Sequence, residues 1–202
     1  MKTLLTVLSV LALSVTAMAY PGPDSIGLYL DGNAPSVAGG DLTMNTAGAF
    51  ESVTIYLCIT NPTLGGVSGW EAVIETEGSP VAPAWTLTAG LDVDMTDTGF
   101  QVGIGLSPLA LMPNANGSVI LADWTGFIGL TTDVVKFYIK PVPGSVSFSD
   151  TAGYAAPDNA GSLMAVYSNT GGPDVPVFCI NEDCMSVAND EMTFSGVKGL
   201  FR

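Results

Sequence analysis

Residues 50–78 read F-E-S-V-T-I-Y-L-C-I-T-N-P-T-L-G-G-V-S-G-W-E-A-V-I-E-T-E-G, and their spacing decides the fold class. In the first arm Val53, Ile55, Leu57 and Ile59 fall on one side, and Ser52, Thr54, Tyr56, Cys58 and Thr60 on the other. A period of two is that of a strand with one buried and one wetter face. Asn61 and Pro62, Gly65 and Gly66, and Ser68 and Gly69 punctuate a loop. A second arm follows with Trp70, Ala72 and Ile74 on its apolar side. Two strands around a Gly/Pro loop predict a hairpin or a corner from one sheet to another.

The same pattern recurs on both sides of this stretch. Ile26, Leu28 and Leu30 alternate through residues 25–31, and a short strand is predicted over residues 85–88. Residues 99–106 alternate apolar side chains with Gly or Gln, a sign of a bulge or of close backbone approach. After the turn N-A-N-G at 114–117, residues 118–124 put Val119, Leu121 and Asp123 on one side and Ile120, Ala122 and Trp124 on the other. Further strands are predicted over 134–140, 145–148, 163–167 and 175–180, with Gly, Pro, Asn and Asp clusters between them. No amphipathic helix longer than about two turns is present, and no internal repeat. Roughly nine or ten short strands with turn signals between them predict an all-β, two-sheet β-sandwich.

The chain begins M-K-T-L-L-T-V-L-S-V-L-A-L-S-V-T-A-M-A-Y. One lysine, an apolar run and Ala17-Met18-Ala19 match a secretory signal peptide over residues 1–19, with the mature chain starting at Tyr20. The apolar run is too short to span a bilayer comfortably, and proline follows at once. No cysteine follows the cleavage site, which argues against a lipoprotein. No later segment is long and apolar enough to cross a membrane, so the expected product is secreted, periplasmic or held at the cell surface. Residues 20–184 suit one domain and residues 185–202 a tail.

The formal net charge is −14, and losing Lys2 with the leader leaves 4 basic against 19 acidic residues. Such a field repels nucleic acid and anionic lipid, whose binding rests on Lys and Arg, and it favours divalent cations. Three cysteines, Cys58, Cys179 and Cys184, are an odd number in an exported chain. Cys179 and Cys184 enclose four residues and can bridge if that loop turns back; a bridge from Cys58 to either is the alternative. With no histidine and three thiols, a zinc site is a poor rival.

Several features resemble the cohesin-type sandwich of bacterial exoproteins: the long apolar strand, the G-V-S-G-W-E entry to the next, N-G-S-V-I-L-A-D-W, and V-V-K-F-Y-I followed by P-V-P. The likeness covers residues 25–150 and extends to immunoglobulin-like sandwiches. It implies a fold and a binding role. Cohesins bind dockerin modules, but no dockerin-recognition residue carries over onto a position here. The ending G-V-K-G-L-F-R resembles that of exported bacterial proteins with a similar domain. In this tail Val197, Lys198, Leu200, Phe201 and Arg202 combine apolar and basic groups. They can dock on the chain's own sheet or on another protein.

Without histidine, Ser-His-Asp, Cys-His and H-E-x-x-H chemistry is excluded. Walker and dinucleotide loops are absent as well. Glu71, Glu75 and Glu77 project from one side of the second arm. Neighbours two apart lie about 6–7 Å from each other, near the separation of about 5–5.5 Å used by retaining glycosidases. The competing reading is an outward strand face of solvated acids. Asp92, Asp94 and Asp97, with Asp41, Asp150 or Asp158 nearby, offer oxygens to calcium. The loop departs from the EF-hand, since Asp97 stands where glycine is required. Flat aromatics can bind sugar faces: Tyr56, Trp85 and Trp124 are the candidates, with Tyr29 and Tyr138, while Trp70 shares the apolar side with Ala72 and Ile74.

The expectation is therefore an exported, non-catalytic binding, adhesion or scaffold module acting through protein contacts or self-assembly. Carbohydrate binding is the alternative and a carboxylate glycosidase the third reading. No cofactor is expected beyond calcium.

Overall fold

The computed structural model describes residues 22–32, 42–94, 99–148 and 150–184. The expected leader and tail lie outside these residues, as do Asp41 and Asp97. The described residues contain twelve strands and no helix and are all-β. The first six are β1 (Ser25–Tyr29), β2 (Thr43–Met44), β3 (Glu51–Thr60), β4 (Gly69–Glu77), β5 (Val81–Leu87) and β6 (Leu91–Asp92). The others are β7 (Gly99–Gly103), β8 (Ser118–Ile128), β9 (Val135–Lys140), β10 (Ala152–Ala155), β11 (Leu163–Ser168) and β12 (Phe178–Ile180).

The strands form one open sheet in the order β2-β12-β9-β4-β10-β11-β1-β3-β8-β5, with β7 branching from β4 and β6 from β7. Residues 50–78 are the corner rather than the hairpin. β3 pairs with β1 and β8, whereas β4 pairs with β7, β9 and β10. The corner is set by Asn61 and Gly65, both at positive φ, and by the Asn61 N–H donating to Gly117 O at 2.7 Å. The sheet doubles over, so that rings from its β8–β5 end meet rings beyond the corner. Trp124 of β8 packs edge-on against Phe137 of β9 at 5.0 Å, and Trp85 of β5 against Phe100 of β7 at 5.6 Å. Val53, Ile55, Leu57 and Ile59 from β3, with Trp70, Ala72 and Ile74 from β4, are buried in this shared core, as the period of two requires.

One alternation changes phase in mid-strand. Leu57 opposes Ala122 and Cys58 opposes Ile120, so Leu121 is the extra residue of a bulge. A bulge lets two successive side chains face the same way. Val119, Leu121, Ala122 and Trp124 are therefore all buried, and the expected split of these residues between two faces is corrected.

β4 explains a second departure. Val73 pairs with both Gly99 and Lys140, and Glu71 with both Gln101 and Gly153, so β7 lies on one edge of β4 while β9 and β10 share the other. β9 and β10 are one interrupted strand. Residues 141–151 leave it as an excursion, and the strand expected over 145–148 falls in this excursion as loop. Phe148 returns across Gly153, where a Cβ would lie 2.3 Å from the ring.

Candidate binding cleft

The chain crosses from the β4 side of the core to the β8 side at residues 78–80. Gly78 makes this possible: its φ is +107°, and a Cβ there would sit 2.4 Å from Val134 O. β5 then pairs with β8 in a register that puts Trp85 directly opposite Trp124, both facing inward. Between the two halves opens a cleft of about 850 Å³. Its accessible aromatic face is half-buried Trp85, set over the core residues Ile74, Phe100 and Trp124, and its rim is Ser79, Pro80, Pro83 and Ala84. Trp70 stacks on the far side of Phe100, with ring centroids 5.3 Å apart. No described residue lining the cleft titrates. It can take up apolar or flat groups and offer the hydroxyls of Thr76 and Ser79.

β5 is an edge strand with β8 as its one partner among the described strands. Its free edge is poorly suited to pairing, since Pro83 lacks an N–H, Ala82 sits at φ +48° and the register shifts between Val81 and Ala84. Recognition here runs through side chains. The same end of the molecule exposes an apolar group: Val81 opposes Phe127, and Phe50 and Leu130 are 66% and 56% exposed.

The sequence-derived sugar platform separates into three environments. Trp85 is half-buried in the cleft. Trp124 is 1% exposed and belongs to the core, so it presents no face to a ligand; Gly126, two residues on, makes room for its indole. Tyr56 is half-buried within a separate outer-face cluster with Tyr29, Cys58, Leu42 and Ile120, and Tyr29 itself is 2% exposed. Burial pushes the Tyr29 hydroxyl well above the usual tyrosine range, opposed in part by the Asn169 side chain.

The three glutamates also part company. Glu75 pairs with Lys140 at 2.6 Å, and Glu77 accepts the Tyr138 hydroxyl at 2.8 Å, both on the exposed outer face. Glu71 is 8% exposed, with its Oε1 unpartnered. The competing reading, an outward strand face of solvated acids, is corrected at this position. Its cross-strand neighbour Gly153 carries the Phe148 ring, so the excursion from β9 covers this part of the face. Asp92 Oδ1 accepts from the Asp94 and Gln101 N–H groups at 3.0 and 2.9 Å, which ties β6 to β7. No group of three His, Cys, Asp or Glu placed to hold a metal occurs among the described residues.

Cys179 and Cys184 are disulfide-bonded, as their spacing allows, and Cys58 is a buried free thiol. Phe100 and residues 78–80 completed the cleft without standing out in sequence: Phe100 sits in a glycine-rich strand and Gly-Ser-Pro reads simply as a turn. The chain matches no family model, no curated protein and no solved structure.

Proposed function

We propose that the chain is an exported, non-catalytic binding module with the two-layered build of a cohesin-like or immunoglobulin-like sandwich, and that it recognises a protein partner at its cleft end. The observation that carries this reading is the cleft itself: the half-buried Trp85 ring and no titratable group among its described lining. Val81, next to the rim residue Pro80, and its cross-strand partner Phe127 are exposed as well, and such apolar groups favour a protein over a small solute. The amino-terminal signal and the Cys179–Cys184 bridge support an oxidising destination.

A photoreactive residue placed at Ser79 in the chain expressed by its native host tests the reading. A specific protein adduct that disappears on Trp85→Ala is expected. The Trp85 indole favours a second reading, glycan binding, because a flat ring can stack on a sugar face. Retention on insoluble polysaccharide that Trp85→Ala abolishes, with no protein adduct, would replace the first reading with the second. Neither adduct nor retention would remove both.

A further inference from the structure

We propose that the cleft is occupied, in the chain as it stands alone, by the chain's own carboxy-terminal residues 197–202, so that an external partner must displace them. This rests on the cleft being a binding site and adds its internal regulator.

The point of exit comes first. Cys184 is tied to Cys179, Cys179 pairs with Lys136 on β9, and Lys136 pairs with Glu77 at the end of β4. The last described residue therefore leaves at the same end as the rim at residues 78–80. It starts two strand spacings from β4, roughly 10 Å. Residues 185–196 span up to ~40 Å when extended, so residues 197–202 reach the cleft of their own chain with slack.

Composition supplies the fit. Val197, Leu200 and Phe201 are apolar and suit the half-buried Trp85 ring between Pro80 and Pro83. The cleft asks for no counter-charge inside, and Lys198 and Arg202 are long enough to keep their heads in water. Charge favours the encounter as well. Residues 22–184 hold 17 acidic side chains (all 19 but Asp190 and Glu191) against Lys136 and Lys140. Both of those lysines are already paired, with Glu182 and Glu75. The last eleven residues carry Lys198 and Arg202 and no acid. Tethering selects the chain's own tail over that of a second copy, because a linker of this length holds the segment at roughly millimolar effective concentration. The contact is made by side chains, since Pro83 and the bulge in β5 deny a backbone ladder.

The test uses the full chain. Trp70 and Trp124 are buried, so acrylamide quenching reports chiefly on Trp85. The double substitution Leu200→Asp, Phe201→Asp is expected to give about a doubling of the quenching constant, as for a ring that a tethered segment covers most of the time. In a Trp85→Phe background the same substitution should change nothing. As a second measurement, a benzophenone side chain at position 201 is expected to crosslink within one chain to residues of the cleft, in protein that sediments as a monomer. An adduct on any other surface, an adduct between two chains, or no adduct overturns the proposal. If it fails while the Ser79 adduct with an external protein persists, the binding reading stands and the tail alone is wrong.

Discussion

Tyr154 and Asp24 tie together three segments far apart in sequence. Asp24, at φ +56°, accepts the Tyr154 hydroxyl and the Thr63 N–H at Oδ1 and the Thr63 hydroxyl at Oδ2. The same tyrosine oxygen accepts from the Leu64 N–H at 3.2 Å. One buried ring thus anchors the start of β1, the corner and β10. Tyr154→Phe keeps the packing and removes a charge-assisted bond, so it should cost about 2 kcal/mol in urea unfolding; a variant as stable as the parent would show the network is idle. Cys58 offers a test by pH. Burial is the main cause pushing its thiol up from 9.0 to about 12; nearby Asp31 adds to the rise and Ser118 opposes it. Below pH 9 the thiol is protonated in folded and unfolded chains alike, and its contribution to stability is complete. Between 9 and 12 the unfolded chain releases the proton more readily, so stability falls as pH rises. Cys58→Ala should flatten the fall between pH 9 and 10, leaving a steeper loss above 10 from Tyr29 and Tyr154, both raised chiefly by burial, Tyr154 to about 12. An unchanged slope between 9 and 10 would contradict this.

Among the elements, the Cys179–Cys184 bridge closes a loop of four residues, and a loop so small restricts the unfolded chain modestly. Its removal by Cys184→Ser should cost about 2 kcal/mol at most. The loss should appear locally, because β2 pairs with β12 and with no other described strand. Amide exchange is the measurement: the N–H groups of Cys179 and Asn181, bonded to Leu42 O and Met44 O, should exchange faster while those of β3 and β8 do not. Uniform acceleration would mean the bridge stabilises the whole sheet. The strands legible in sequence were those with long alternation, such as β3, the apolar side of β4, and β9. β2 and β6 are two residues each, too short to show a period. Ala152–Ala155 has no β-branched residue and becomes β10 because Glu71 and Trp70 wait for partners on the β4 edge that β9 vacates. Glu71 was misread for the same reason: alternation assigned its face correctly, but the residues 141–151 that cover that face are distant in sequence. Trp85 and Trp124 were each visible as aromatics. Their meeting at one cleft depends on cross-strand register and on the crossing at residues 78–80, and neither is written in a local period.

At the scale of the molecule, charge is the dominant asymmetry. Residues 22–184 carry 17 acidic side chains and two lysines, and both lysines are already paired at the surface. Two opposing effects follow when salt is added. Screening weakens the Lys136–Glu182 and Lys140–Glu75 pairs, but exposed pairs of this kind contribute little to stability. Screening also weakens the mutual repulsion of the many acids held close together in the fold, which the expanded unfolded chain relieves by separating them. With so many like charges against two pairs, the second effect should win. Raising sodium chloride from about 10 mM to about 500 mM shortens the screening length from roughly 30 Å to a few ångströms, and the urea midpoint should rise. Urea is the suitable denaturant because it adds no ions of its own. A midpoint that falls with salt would mean that the paired lysines, or some bound cation displaced by sodium, outweigh the acidic field. The same titration on Lys140→Met separates these outcomes, since removing one lysine should steepen the rise if repulsion governs and blunt the fall if the ion pairs do.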